Sequence, residues 1–207
     1  MQKSSSTESA GPIHGSQLLR DMLVVGLLMI LGAVVRWRLA DLPNFAPIAS
    51  LAIFAGVWVR WRFLAALAPL GALLISDLAL GLGNYEWALM FAVYGSLSFP
   101  VLLAPWLKRI AARRRQSWSA AATWLGATLG TAIGGALAFF LVTNSVVWFA
   151  WYAHDWQGLA ACFANAVPFF RFTLMGDLTF CVSFLVMHEV ATRLVATPTG
   201  RQAATAE

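Results

Sequence analysis

The chain has 207 residues, of which 60% are hydrophobic and 11% charged, and its formal net charge is +5. A soluble globule would carry about 25% charged residues, so the balance excludes an ordinary soluble domain. The positive excess would suit nucleic acid or a membrane surface, and where the charges fall along the chain decides between them.

The apolar residues come in blocks nearly free of charge, at 22–35, 47–59, 63–82, 87–107, 118–149 and 172–187. Blocks that approach or exceed about 18 residues read as membrane spans. They show no apolar/polar alternation, which excludes a barrel and leaves helices, because backbone groups in lipid must be satisfied within the segment. The expected fold is an all-α, polytopic membrane helical bundle of about six transmembrane helices, with both termini cytoplasmic. A transmembrane domain at 17–195 lies between disordered cytoplasmic tails at 1–16 and 196–207.

In chain order, the first span is expected at 18–38. It follows a Ser/Thr-rich tail and runs into Arg36-Trp37-Arg38 rather than a small-residue cleavage site, so it does not read as a cleavable signal. Before the second span, LPNFAPIA (42–49) places Pro43 and Pro47 around Asn44; proline restricts the residue before it and is tolerated at a helix start, which holds Asn44 at the mouth of the bundle. That span, 46–60, is short enough to be tilted, partly interfacial or continuous with the third, 63–82. The third contains LLISDLALGL, with Asp77 inside an apolar run, and ends at GNYEW, with Tyr85 and Glu86.

The fourth span, 87–107, leads to KRIAARRR (108–115). With a cytoplasmic N-terminus and six spans, Lys3, Arg20, Arg60, Arg62, Lys108, Arg109, Arg113, Arg114, Arg115, Arg193 and Arg201 fall inside, and Arg36, Arg38 and Arg171 outside. This positive-inside bias makes the basic run a topology anchor beside anionic lipid, with no nucleic-acid partner expected.

The fifth span, 118–143, carries Gly126, Gly130 and Gly134 at every fourth residue, a smooth face for close approach of another helix within the chain or between subunits. After it, TNSVVWFAWYAHDWQG (143–158) gathers Asn144, Trp148, Trp151, Tyr152, His154, Asp155 and Trp156, more aromatic and polar groups than an interfacial belt requires. They suit a pocket lining for a flat or apolar ligand. An apolar piece at 158–170 precedes PFFR, which puts Arg171 just before the last span, 172–192. That span holds Asp177 in a setting like that of Asp77: Gly176-Asp177-Leu178 beside Ser76-Asp77-Leu78. From Arg171 to Asp177 is about 9 Å of helix rise, so contact needs Arg171 to reach downward or a ligand to bridge.

An ionised Asp at a helix centre costs about 3 kcal/mol, so both acids must face protein or water, either to hold a neighbouring helix or to bind a ligand, ion or proton. Both lie in the outer half of the membrane, which fits a pocket open to the outside. Cys162 and Cys181 belong to no CxxC or Cys/His cluster and read as small core residues. His188 and Glu189 near the inner end carry no assigned chemistry. Phosphate-binding, HExxH and GxSxG motifs are absent, so neither an ATPase within the chain nor hydrolytic chemistry is expected, and no cofactor or metal site is read.

The succession PNFAPIASLAIFAG, APLGALLISDLALG, a Tyr-containing span, FFLVTNSVVW and GLAACFANAVPFFRFTLMGDL resembles an uncharacterised family of small bacterial six-helix membrane proteins described as transport proteins. That family is similar in layout to the S-components of energy-coupling-factor vitamin transporters, including the solitary cobalamin transporter type. The resemblance implies a multi-pass protein of the cytoplasmic (inner) membrane that is not an enzyme and captures a small vitamin-like solute at an outward pocket. It gives weight to Asn44, Asp77, Asn144, Trp148, Arg171 and Asp177. Asp77, Asp177 and Arg171 would then fix the solute's polar groups, with Trp148, Trp151 and Tyr85 over its apolar face. For a corrinoid, His154 would be the candidate axial ligand.

S-components dock on a separate energy-coupling ATPase module through small residues of the first span, where this chain offers Gly26, Gly32 and Ala33. The readings from other classes are a scaffold or assembly subunit of a larger membrane complex, and an enzyme using Asp77 and Asp177 as an acid/base pair.

Overall fold

The computed structural model of the chain describes residues 12–42, 44–81 and 86–196. Seven helices follow in order: α1 (Pro12–Arg38), α2 (Ile48–Trp58), α3 (Arg62–Leu80), α4 (Trp87–Ser98), α5 (Ala104–Arg113), α6 (Trp118–Trp151) and α7 (Trp156–Ala196). A 3-10 turn, Phe99–Leu103, joins α4 to α5 at Pro100, whose ring fixes φ and removes a donor. Five stretches are long and apolar enough to cross a membrane: Gly15–Arg38, Arg62–Leu80, Trp87–Arg113, Trp118–Trp151 and Trp156–Arg193. The chain has the build of a multi-pass helical membrane protein.

The second span takes a particular form. At 11 residues α2 rises only about 16 Å against a hydrocarbon thickness of about 30 Å, so it cannot cross alone. Nine of its residues, Ile48 to Ile53 and Ala55 to Val57, are buried, and every other helix packs around it. A helix that is apolar on all sides belongs inside a bundle, and Ala49, Ser50, Ala52, Ala55 and Gly56 let its neighbours come close. A Cβ on Gly56 would stand 2.9 Å from the Ala104 Cβ and 3.5 Å from the Val101 Cα. By contrast, a Cβ at Gly126, Gly130 or Gly134 would meet nothing within 4 Å. The small-residue stripe of α6 is therefore not used for packing within the described chain. Gly56→Val is accordingly expected to destabilise the protein by about 1–3 kcal/mol through overpacking, whereas Gly130→Leu should leave its thermal unfolding in detergent unchanged.

The last two helices are longer than expected. The stretch 143–151 continues α6 as helix and does not form a loop; only residues 152–155 connect α6 to α7. The piece at 158–170 and the last span are one helix of 41 residues, about 62 Å long, because Pro168 forfeits a single backbone bond without ending it. Asp155 starts α7 by accepting a bond from the Gly158 amide at 2.7 Å.

The two ends of the bundle differ in charge. At the end where α1 begins and α7 finishes, Asp21 accepts from the Arg60 amide at 2.8 Å, and Lys108 donates to the Val59 carbonyl at 2.7 Å beyond the α2 C-terminus. At this same end Arg115 donates to Thr192 at 3.0 Å. Arg36, Asn44, Asp77 and Asn144 gather at the opposite end.

Candidate functional site

At that opposite end a cavity of about 420 Å³ opens between α1, α3, α4, α6 and α7, with the turn before α2 as part of its wall. Its apolar lining includes Ile48, Leu73, Leu89, Met90, Phe139, Phe140, Phe169 and Phe170. Phe140 and Phe170 pack with ring centroids 5.0 Å apart, and Phe140 meets Phe163 edge-on at 5.5 Å. Arg36, Asn44, Asp77, Tyr94, Thr143, Asn144, Asn165, Thr173 and Asp177 supply polar groups.

Asp77 is fully engaged. Its Oδ1 accepts from the Arg36 guanidinium, which also reaches Ser76 Oγ, and its Oδ2 accepts from the Tyr94 hydroxyl at 2.8 Å. Arg36 is the last polar residue but one of α1, and Asp77 lies one turn before the end of α3, so the pair ties two parallel helices at the same height. Both carboxylate oxygens of Asp77 are therefore engaged within the bundle, one by Arg36 and one by Tyr94.

Asp177 is the opposite case. It is 2% exposed, and its Oδ2 is buried with no hydrogen-bond partner among the described residues. Local packing holds it in place: Ser50 Oγ of α2 donates to the Asp177 carbonyl at 2.8 Å. A Cβ on Gly176 would stand 3.2 Å from the Ala46 amide nitrogen and 3.3 Å from the Phe45 Cα. Glycine before Asp177 thus lets the backbone of the 45–46 turn lie against α7. In that turn Asn44 takes a positive φ of 60°, a conformation that asparagine tolerates better than most residues.

Three other polar side chains of the lining spend donors on their own helices. Thr143 bonds the Phe139 carbonyl at 2.7 Å, Asn144 the Phe140 carbonyl at 2.7 Å, and Thr173 the Phe169 carbonyl at 3.5 Å. Their oxygens keep acceptor capacity, as does the Asp177 carboxylate, so the wall around Asp177 is richer in acceptors. Cys162 also lines the cavity, its thiol 3.4 Å from the Asn144 carbonyl, and both cysteines are buried and free.

The cavity thus brings together five residues singled out from sequence: Asn44, Asp77, Asn144, Tyr152 and Asp177. Trp148, Trp151, His154 and Arg171 do not line it. The Trp148 indole donates to the Ala153 carbonyl at 2.9 Å, and His154 stacks on Phe149 with centroids 4.9 Å apart, closing the α6–α7 turn. Trp151 is 53% exposed. Arg171 is exposed with its guanidinium over the Phe172 ring at 4.8 Å; on one continuous helix, six residues turn it well away from the Asp177 face. Tyr85 and Pro43 lie outside the described residues.

Arg36, Tyr94, Thr143, Asn165 and Thr173 were not singled out from sequence. Tyr94 and Asn165 did carry a readable signal, as lone polar groups inside apolar helices.

Residues 16–199 match the Family of unknown function (DUF6580). This chain belongs to that family. All of the residues that line the cavity fall within the matched stretch, so the cavity is part of the DUF6580 unit. No curated protein and no solved structure matches the chain.

Proposed function

We propose that this DUF6580 chain is an integral membrane transport protein that captures a small, vitamin-like solute in the cavity, open to the outer face of the cytoplasmic membrane. The observation that carries the reading is Asp177, a buried cavity-lining acid with an unpartnered oxygen. Burying an acid without a partner is costly, and the cost is recovered when a solute supplies the missing donor. Because Arg36 already pairs with Asp77, the acid left to a solute is Asp177 alone. The complementary solute carries a cationic or donor-rich nitrogen on an aromatic or apolar body, which the Phe140, Phe169 and Phe170 wall covers.

The orientation rests on the basic residues at the end that holds the helix termini, which the positive-inside tendency assigns to the cytoplasm. His154 stands outside the cavity, so a corrinoid with an axial nitrogen from this side chain is not part of the reading. Handover to a separate ATPase module is open to an S-component-like subunit, but Gly32 and Ala33 are consumed where α1 packs on α2 and α3. Only Gly26 of the three small residues stays uncovered, which favours solitary action. The uncovered stripe at Gly126, Gly130 and Gly134 supports a second reading, a scaffold or assembly subunit of a larger membrane complex.

Thermal unfolding in mild detergent tests the first reading with thiamine and pyridoxamine as cationic probes and biotin, pantothenate and nicotinate as anionic ones. A cationic probe at about 100 times its Kd should stabilise the protein by about 2.7 kcal/mol, with no effect from the anions. A protein that responds to none of them, carries no small molecule by mass spectrometry and co-purifies with another chain would instead support the scaffold.

A further inference from the structure

The end of the bundle remote from the solute cavity holds a second one, about 670 Å³, between the start of α6 and the last turns of α7. Its upper rim carries Arg114, Arg115 and Arg193, against which Glu189 is the one lining carboxylate. Glu189 is shared: Arg193 Nε lies 3.0 Å and Arg115 Nη2 3.5 Å from its oxygens. Arg114 has no carboxylate partner among the described residues; its guanidinium sits over the Trp58 ring at 4.9 Å. Burial and the adjacent Arg115 charge push Arg114 below the usual arginine range, with Glu189 acting the other way, as expected of a cation short of counter-charge.

Two further features face the same groove. His188 stacks on Trp58 with centroids 3.6 Å apart, and its Nε2 is buried without a hydrogen-bond partner among the described residues. The N-terminus of α6 also opens here, with no acidic residue in its first turn, and the Ser117 cap satisfies only the Ala120 amide. Below these polar groups the walls become apolar and face outward, with Leu125 46% and Val186 55% exposed. Trp118, 94% exposed, stands where α6 begins as a membrane-crossing stretch.

We infer that this groove is a binding site for an anionic phospholipid, its phosphodiester held by Arg114, Arg115 and the α6 N-terminus and one acyl chain lying along Leu125 and Val186. A free phosphate would use the cationic rim but would gain nothing from the apolar wall beneath it. A zwitterionic lipid would fit the wall but leave the cationic excess unmatched. The combination of both surfaces, at the level where two spans end, selects a lipid with a net negative headgroup. The site is separate from the solute cavity and does not depend on its function.

The test is native mass spectrometry of the full chain released from detergent with equal amounts of phosphatidylglycerol and phosphatidylcholine. Phosphatidylglycerol should be retained at least tenfold more than phosphatidylcholine, and Arg114→Gln/Arg115→Gln should abolish that preference. Arg109→Gln/Arg113→Gln, which removes equal charge from the same basic run outside the groove, should keep it. Equal retention of the two lipids by the unaltered chain would overturn the site even if the groove variant fails to fold. Equal loss in both double variants, which would mean diffuse surface charge, would also overturn it. So would displacement of phosphatidylglycerol by 10 mM inorganic phosphate, which would mean an anion site without a lipid wall.

Discussion

Arg36→Met is expected to destabilise the protein by about 3 kcal/mol, and Arg36→Met/Asp77→Asn to recover most of that loss. Only 12% of the Asp77 side chain and 22% of the Arg36 side chain are exposed, so removing the guanidinium strands a carboxylate that is largely cut off from water. The Tyr94 hydroxyl alone cannot compensate a full charge. In the double variant no charge remains, and an amide oxygen at position 77 can still accept from Tyr94. The single variant should lower the apparent melting temperature by about 6–12 °C, as expected for a chain of this length. A double-mutant cycle should give a coupling of about 2 kcal/mol, within the range for residues in direct contact. Additive losses would mean that the pair contributes nothing as a pair. The consequence for function is positional: the pair fixes the ends of α1 and α3, and with them one wall of the cavity.

That pair also marks what could be read from the amino-acid sequence. Asp77 and Asp177 were legible because a carboxylate in an apolar run has so few physical outcomes, and the structure puts both in one cavity. Arg36 was not, because an arginine at the end of a span is ordinarily a headgroup anchor, and only the height of α1 against α3 turns it inward. Arg171 shows the reverse error. Its proximity to Asp177 in sequence suggested contact, but that inference assumed a helix start after Pro168; in the continuous α7 the two side chains project in different directions. The spans were legible from apolar length. The role of α2 was legible only as shortness, since burial on every side depends on neighbours that composition cannot name. The aromatic cluster at 148–156 was visible as a cluster, but of its members Tyr152 lines the cavity, while Trp148 and His154 close the helix turn.

Asp177→Asn should distinguish a carboxylate kept for a solute from one kept for the fold. Asp77 and Asp177 share a sequence setting and a cavity, yet their hydrogen-bond states differ: one has both oxygens engaged, the other has an oxygen buried and unpartnered. If Asp177 held a helix, its replacement would cost stability, as replacing a partner of a buried pair does. Because it has nothing to lose among the described residues, a neutral amide should be tolerated or preferred. The expected gain in the solute-free protein is about 1 kcal/mol, or about 2–4 °C in apparent melting temperature. The same variant should bind a cationic solute at least tenfold more weakly, since a charge-assisted bond contributes about 1.5–3 kcal/mol. Greater stability with weaker binding is the signature of a site that gives up stability for function. A lower melting temperature with unchanged binding would reverse the assignment and make Asp177 a structural residue.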